Sequence, residues 1–171
     1  MSKMRRSIEM EKLTWSYRRI SLADVPVMMD WYNNRELHET ANAKAFHPYT
    51  IDELNKYWQK KINRTDAIYY AIISNDRMIG RVSLKGMDST GEGIEYAIVI
   101  GDPSLYSRGL GTEITKSMLE NVFSDPHLRY VQLDVRQDNK RAIRCYEKSG
   151  FRFLDSFLEN GISMHRMRVV K

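Results

Sequence analysis

Residues 105–113 read Leu-Tyr-Ser-Arg-Gly-Leu-Gly-Thr-Glu, with two glycines one residue apart just where an apolar period of helical spacing begins. Ile114, Met118, Leu119 and Val122 form one stripe of that helix, and the apolar run 93–102 before the loop predicts a strand. A strand, a glycine loop and a helix in this order limit the chain to architectures in which a sheet edge feeds a helix N-terminus. The free N–H groups and partial positive charge of such a terminus favour an anion. Glycine lets an oxygen approach the backbone with no Cβ in the way, and Arg108 adds a cation beside the loop. It is not a Walker loop, which needs Gly-Lys-Ser/Thr, nor a dinucleotide fingerprint, since Ile stands at 114. By itself the spacing also fits a turn that only starts a helix.

Around this junction the pattern predicts a mixed α/β fold, with a central sheet of about six to seven strands flanked by helices. Residues 16–21 predict a first strand. Leu22 and Asp24 open a helical period through Val25, Met28, Met29 and Tyr32, with Pro26 in its first turn. Residues 33–49 read as irregular and aromatic-rich. Thr50 with Glu53 predicts a capping box for a helix from 51. Two strands around Asn75-Asp76 predict a hairpin, and two more around Asn160-Gly161 predict another. Residues 93–102 are apolar on both faces for most of their length, as in a sheet's centre. The stretch 130–136 alternates, and 139–150 predicts a short helix stopped by Gly150.

No repeat, low-complexity tract or linker divides the 171 residues, so one domain over 15–171 is expected behind a tail at 1–14. The start has charges but no apolar core of a signal peptide, and no run is long enough to span a membrane. One cysteine, Cys145, excludes an internal disulfide framework and fits a reducing, cytoplasmic setting. His38, His47, His127 and His165 lack ligand spacing, so no metal is expected. The formal charge is +5, but 27 basic residues are scattered among 22 acidic ones. That pattern gives no contiguous stripe for specific nucleic-acid binding.

Twenty-eight residues after Gly111 begins Asn139-Lys-Arg-Ala-Ile-Arg-Cys-Tyr-Glu-Lys-Ser-Gly-Phe151. Together, the pattern DPxxxxRGLGT from 102 and NxxAIRCYEKxGF from 139 resemble the GNAT superfamily of acyl-CoA-dependent N-acyltransferases. Among its members, aminoglycoside 6′-N-acetyltransferases and ribosomal-protein alanine N-acetyltransferases look most similar. The resemblance implies acetyl-CoA as co-substrate, its pyrophosphate held by Tyr106, Ser107, Arg108, Gly109, Leu110, Gly111 and Thr112. Tyr106 departs from the Gln or Arg usual at the first position of that pattern. The resemblance further implies that the strand splays near Ile98, Val99 and Ile100 to receive pantetheine, and that Asn139 contacts the coenzyme while capping its helix.

Two residues then stand out for the chemistry. Glu95 lies 14 residues before Gly109, where several family members carry a catalytic carboxylate. In a buried strand its pKa would rise, suiting a base that acts directly or through water. The competing reading has Glu95 facing solvent or pairing with an arginine such as Arg81. Tyr146 matches the position whose hydroxyl approaches the departing thiolate; otherwise it is a core residue. Cys145 lacks a histidine partner, so direct transfer in a ternary complex is expected. The acceptor is expected from the side of the first helices and the last hairpin, where Trp31, Tyr32, Glu36 and Tyr49 are candidates, with Glu39, Phe46, His47 and Glu159 nearby. It would be a small-molecule amine (aminoglycoside, polyamine or amino sugar) or a protein N-terminus. A homodimer is compatible with the resemblance. A non-catalytic CoA-binding module is the alternative, although such a module needs neither Glu95 nor Tyr146.

Overall fold

The computed structural model describes residues 12–86 and 90–171. Its strands are β1 Ser16–Arg19, β2 Ala67–Ser74, β3 Arg77–Gly86, β4 Gly93–Ile100, β5 Tyr130–Arg136, β6 Arg152–Glu159 and β7 Ile162–Val170. They form one mixed sheet in the order β1-β2-β3-β4-β5-β7-β6. The two predicted hairpins are present. Asn75 and Asp76 take φ of 48° and 58°, and Asn160 and Gly161 take 50° and 78°. Two left-handed residues in succession give the turn whose twist matches that of the flanking strands.

Every pairing is antiparallel except that of β4 with β5. A parallel pair needs a crossover, and α4 (Leu110–Phe123) supplies it. The remaining helices are α1 Val25–Tyr32, α2 Arg35–Ala41, α3 Ile51–Ile62 and α5 Lys140–Lys148. Thr50 and Glu53 form the reciprocal capping box of α3, with bonds of 3.3 and 2.8 Å. The α2 helix corrects the expectation of irregular chain over 33–49. Its only aliphatic interior position of any size is Leu37, so it leaves no apolar stripe to read. The Asn34 side chain starts it by accepting from the Leu37 N–H at 3.0 Å.

The two faces of the sheet are covered unequally, and this asymmetry makes the site. On one face α4 and α5 pack Ile114, Met118, Leu119 and Tyr146 against Val82, Tyr96, Leu133 and Met167. On the other, α1 and α3 place Val25, Met28, Leu54 and Trp58 over Ala67, Tyr69 and Ala71 of β2. This second layer does not extend over Glu95 and Ala97 of β4, which are both exposed. The expectation of a β4 buried on both faces is therefore corrected. Of its apolar outer positions, Ala97 is exposed and Val99 half-buried.

The first eleven residues of the expected tail lie outside the described residues. Of the next three, Leu13 packs on the core and the Thr14 carbonyl accepts from Ser74 Oγ at 2.7 Å. Among the described residues, no helix is long and apolar enough to cross a membrane.

Candidate active site

The two glycines of the opening motif have different reasons. Gly109 is the N-cap of α4 and takes φ of +80°, a left-handed conformation that side chains rarely adopt. It has no side chain to cap the helix, and the first helical bond runs from Glu113 N–H back to the Gly109 carbonyl. The N–H groups of the first turn are thus left for a ligand. Ser107 also takes a positive φ, 57°, so the loop curls twice within three residues. Gly111 serves packing instead. A Cβ there would lie 3.2 Å from Cys145 Sγ on α5, so glycine allows the two helices to approach.

Tyr106, the departure from the family pattern, turns back towards the sheet. Its hydroxyl donates to the Ile100 carbonyl at 3.0 Å, and the Arg141 guanidinium sits 3.4 Å from its ring centroid. The residue closes the loop on the end of β4, with Arg108 exposed beyond it.

The parallel pairing of β4 and β5 covers only Gly93 with Tyr130, Ile94 with Val131 and Glu95 with Gln132. Beyond Glu95 the strands part, somewhat earlier than the expected 98–100. Pairing with β3 continues in register to Ile100, and Gly101 N–H donates to Ile79 O at 2.9 Å. Alternation along the strand then points the N–H groups of Ile98 and Ile100 the other way, into the gap left by β5. The gap ends beside the uncapped start of α4.

Glu95 and Tyr146 lie on opposite faces of the sheet. Glu95 stands on the open face; its side chain is 48% exposed and 3.2 Å from Lys85 Nζ, its directly cross-strand neighbour. The burial expected for it is absent, and its partner is Lys85 rather than Arg81. Tyr146 lies in the core with Tyr96 and Phe151, its ring 5.8 Å from that of Phe151. Burial pushes its hydroxyl pKa well above the ordinary phenol value, so it stays protonated. Asn139 caps α5 by accepting from the Ala142 N–H at 3.2 Å, and its amide donates to the Thr40 carbonyl at 3.2 Å. Burial also raises the Cys145 thiol pKa, which disfavours a thiolate nucleophile.

The four acceptor candidates do not converge on one spot. Trp31 lies against Gly101, where its ring fills the space a Cβ would need. Tyr32 and Tyr49 belong to an aromatic cluster with Tyr57, ring centroids 5.5 to 6.0 Å apart. Glu36 is exposed on α2. A cleft of about 630 Å³ opens between the segment 42–46, the end of β5 and the last hairpin, lined by Glu39, Phe46, Arg136, Asn160 and Ile162 among others. Arg136 and Asn160 tether that segment, donating to the carbonyls of Asn42 and Ala43 at 3.2 and 3.4 Å. From sequence, Arg136 had no assigned place and Arg81 stood only as a possible partner of Glu95, because an arginine on an alternating strand is ordinarily a solvated one. Among the described residues, no three His, Cys, Asp or Glu gather as a metal site.

Comparison with known proteins agrees with this geometry. The sequence profile of the acetyltransferase (GNAT) domain matches residues 16–152. Aminoglycoside N(6′)-acetyltransferase type 1 of Klebsiella pneumoniae is 28% identical over 140 residues, covering 75% of this chain and 69% of that protein. The Serratia marcescens protein of the same name matches to the same extent. Among solved structures, AAC(6′)-Ib in complex with paromomycin and acetyl-CoA superposes with a TM-score of 0.80 at 20% identity, over 92% of this chain and 94% of that one. Vibrio cholerae spermidine N-acetyltransferase with CoA and spermine gives 0.79 at 21%, over 91% and 95%. At these identities the structural likeness speaks for the fold alone, and the profile match decides the family: the chain is an acetyltransferase of the GNAT family.

Proposed function

We propose that this protein transfers the acetyl group of acetyl-CoA to a primary amine of a small molecule, directly, within a ternary complex. The observation that carries the reading is the gap between β4 and β5 opening onto the uncapped N-terminus of α4. Together they offer unpaired N–H groups in a line that suits pantetheine amides followed by a pyrophosphate. Ile98 and Ile100 would receive the pantetheine. Tyr106 to Thr112, with Arg108, would hold the phosphates. Asn139 is occupied in capping and tethering, so its role there is to fix α5 against the 40–46 segment.

In the chemical step the amine nitrogen bonds to the thioester carbon, and the carbon–sulfur bond breaks. Glu95, on the open face, takes the proton released by the amine, directly or through water. Tyr146, on the opposite face, gives a proton to the departing sulfur. Its buried, protonated hydroxyl suits that task. A base and an acid on opposite faces of the sheet fit an amine arriving from one side and a thiol retreating to the other. The names of the relatives, an aminoglycoside acetyltransferase and a spermidine acetyltransferase, support an amine acceptor. A protein N-terminus is the alternative acceptor, and a homodimer is compatible with this reading.

The test is thermal unfolding with acetyl-CoA, with NADH and ATP as controls, followed by thiol release against a panel of amines. At ~100 times its dissociation constant a ligand selective for the folded state adds about 2.7 kcal/mol, several degrees at this size. A shift with acetyl-CoA alone and amine-dependent thiol release are expected. Equal shifts with ATP, or none with acetyl-CoA, would overturn the reading.

A further inference from the structure

On the open face, beside the gap, lies a guanidinium with no acceptor for its buried N–H. Arg81 on β3 is the cross-strand neighbour of Val99 and so stands next to the thioester segment. Its guanidinium carbon is 5.7 Å from the Tyr32 ring centroid and 5.6 Å from that of Trp58. Those rings clamp it from α1 and α3 but accept none of its N–H bonds in the plane. Arg81 Nε is buried and without a partner, while the Tyr32 hydroxyl lies within reach of the Trp58 and Tyr57 side chains. A buried guanidinium N–H left unmatched is unusual, since buried polar groups are nearly always paired. Lys61 adds a second cation, 4.9 Å from the Tyr57 ring and 5.1 Å from the Tyr69 ring. Among the described residues, neither Arg81 nor Lys61 has a carboxylate partner.

The carboxylates nearest the gap and the cleft are, by contrast, taken. Glu95 is bridged to Lys85, while Asp134 and Asp155 lie 3.0 and 3.8 Å from Arg166 nitrogens. At the cleft, Glu39 is held by Arg35 and Asp138 by Arg136. Glu36 and Glu159, with Asp30 on α1 and Asp52 and Glu53 on α3, have no ion pair among the described residues. None of them reaches Arg81, Lys61 or the exposed Lys44 within salt-bridge distance. A polycation entering here would meet an unneutralised guanidinium at the point where its amine must react. An oxyanion would meet a planar fork of donors already oriented by two rings.

We propose that Arg81, with Tyr32 beside it, receives a carboxylate or phosphate carried by the acceptor, so that the acceptor is an acidic or zwitterionic amine rather than a polycation. This rests on the acetyl-transfer reading and narrows its substrate class. The same cation, close to the incoming nitrogen, favours the neutral amine over the ammonium and so assists the attack.

The test compares amines that differ only in the anion: glucosamine 6-phosphate against glucosamine, and glycine against glycinamide, with spermidine and kanamycin as polycations. Binding is measured by calorimetry on the CoA-saturated protein, for wild type, Arg81→Met and Arg81→Lys, each first shown to unfold cooperatively and to bind CoA. In wild type an anionic member should bind at least tenfold more tightly than its neutral counterpart. The phosphate and carboxylate pairs show which oxyanion is meant. Arg81→Met should abolish the difference, and Arg81→Lys should keep part of it. Equal binding within both pairs, no binding by any anionic amine, tighter binding of the polycations, or a preference that survives Arg81→Met would each overturn the proposal. Failure of the protein to bind CoA would instead overturn the acetyl-transfer reading, and the two failures are therefore separable.

Discussion

The guanidinium of Arg141, on α5, lies 3.4 Å from the centre of the Tyr106 ring, in the loop that leads into α4. Tyr106 in turn donates to the last carbonyl of β4. One contact thus ties the proposed phosphate loop to α5 and to the strand that would hold the thioester. Tyr106→Phe keeps the stacking and removes the hydroxyl, whose hydrogen bond is worth ~0.5–1.5 kcal/mol. The acetyl-CoA KM should rise roughly two- to tenfold with kcat little changed. Steady-state kinetics in acetyl-CoA check this, and a fall in kcat alone would show that the bond serves the chemical step instead.

Gly109 and Gly111 should fail in different ways. No atom lies within 4 Å of a Cβ built on Gly109, so Gly109→Ala meets only the strain of its φ, ~1–2 kcal/mol. It should fold with a lower Tm and retain a response to acetyl-CoA. Gly109→Asp should lose that response as well, through its negative charge in the cradle. Gly111→Val crowds Cys145 Sγ and should destabilise the α4–α5 contact itself. Thermal unfolding with and without acetyl-CoA separates the three.

The two proposed catalytic residues should affect turnover and spare coenzyme binding. Glu95→Gln removes the base and should lower kcat by ~10²-fold or more. Tyr146→Phe removes the proton donor with little change of volume, and should lower kcat by a similar order. Unaltered turnover in either variant, measured by thiol release, would remove that residue from the chemistry.

Stability should fall in alkali. Burial raises the phenol pKa of Tyr32, Tyr57, Tyr96 and Tyr146 above the ordinary value near 10. Below that value both folded and unfolded chains keep these protons, and the contribution is complete. Above it the unfolded chain releases them first and binds fewer protons than the folded one. The unfolding free energy then declines by up to about 1.4 kcal/mol per pH unit for each phenol. Denaturant midpoints between pH 9 and 11 check the sign, and Tyr146→Phe should make the decline shallower.

Acid acts through a different pair. The Arg18 side chain holds Asp24 with bonds of 2.7 and 2.8 Å and keeps its pKa below the ordinary carboxylate value. That stabilisation is present above the unfolded pKa near 4 and is lost as pH falls through the lower folded value. Asp24→Asn should destabilise the protein at neutral pH by ~1–3 kcal/mol and flatten the acid side of its stability profile.

Much of this molecule is legible in the chain because its signals are local. Asn75-Asp76 and Asn160-Gly161 specify hairpin turns, and Thr50 with Glu53 marks the start of α3, whatever surrounds them. The glycine loop and the Asn139–Phe151 segment were likewise readable, since backbone conformation and helix spacing are written in consecutive residues. Two features were not. The α2 helix has no apolar stripe, and depends on the Asn34 cap and on the cleft segment against which it lies. The environment of Glu95 depends on where other elements stop. Nothing within Ile94–Ile100 shows that the layer of α1 and α3 ends before β4. An apolar strand with one face open has the same sequence as one buried on both faces. The setting of Arg81 was invisible for a related reason, because its clamp is built from Tyr32 and Trp58, 49 and 23 residues before it.

The brief partnership of β4 and β5 has a mechanical consequence. Only three register pairs join the two strands, so the sheet is two panels hinged near Gly93, one of four strands and one of three. A molecule lying along the opening and taking the N–H groups of Ile98 and Ile100 would act as a surrogate length of strand, turning the panels into one plate. Occupancy would then be felt beyond the contact residues. Amide exchange should slow not only along β4 but also in the β5–β7 ladder across the hinge. The protein would stiffen as a whole each time it loads, and loosen each time it lets go.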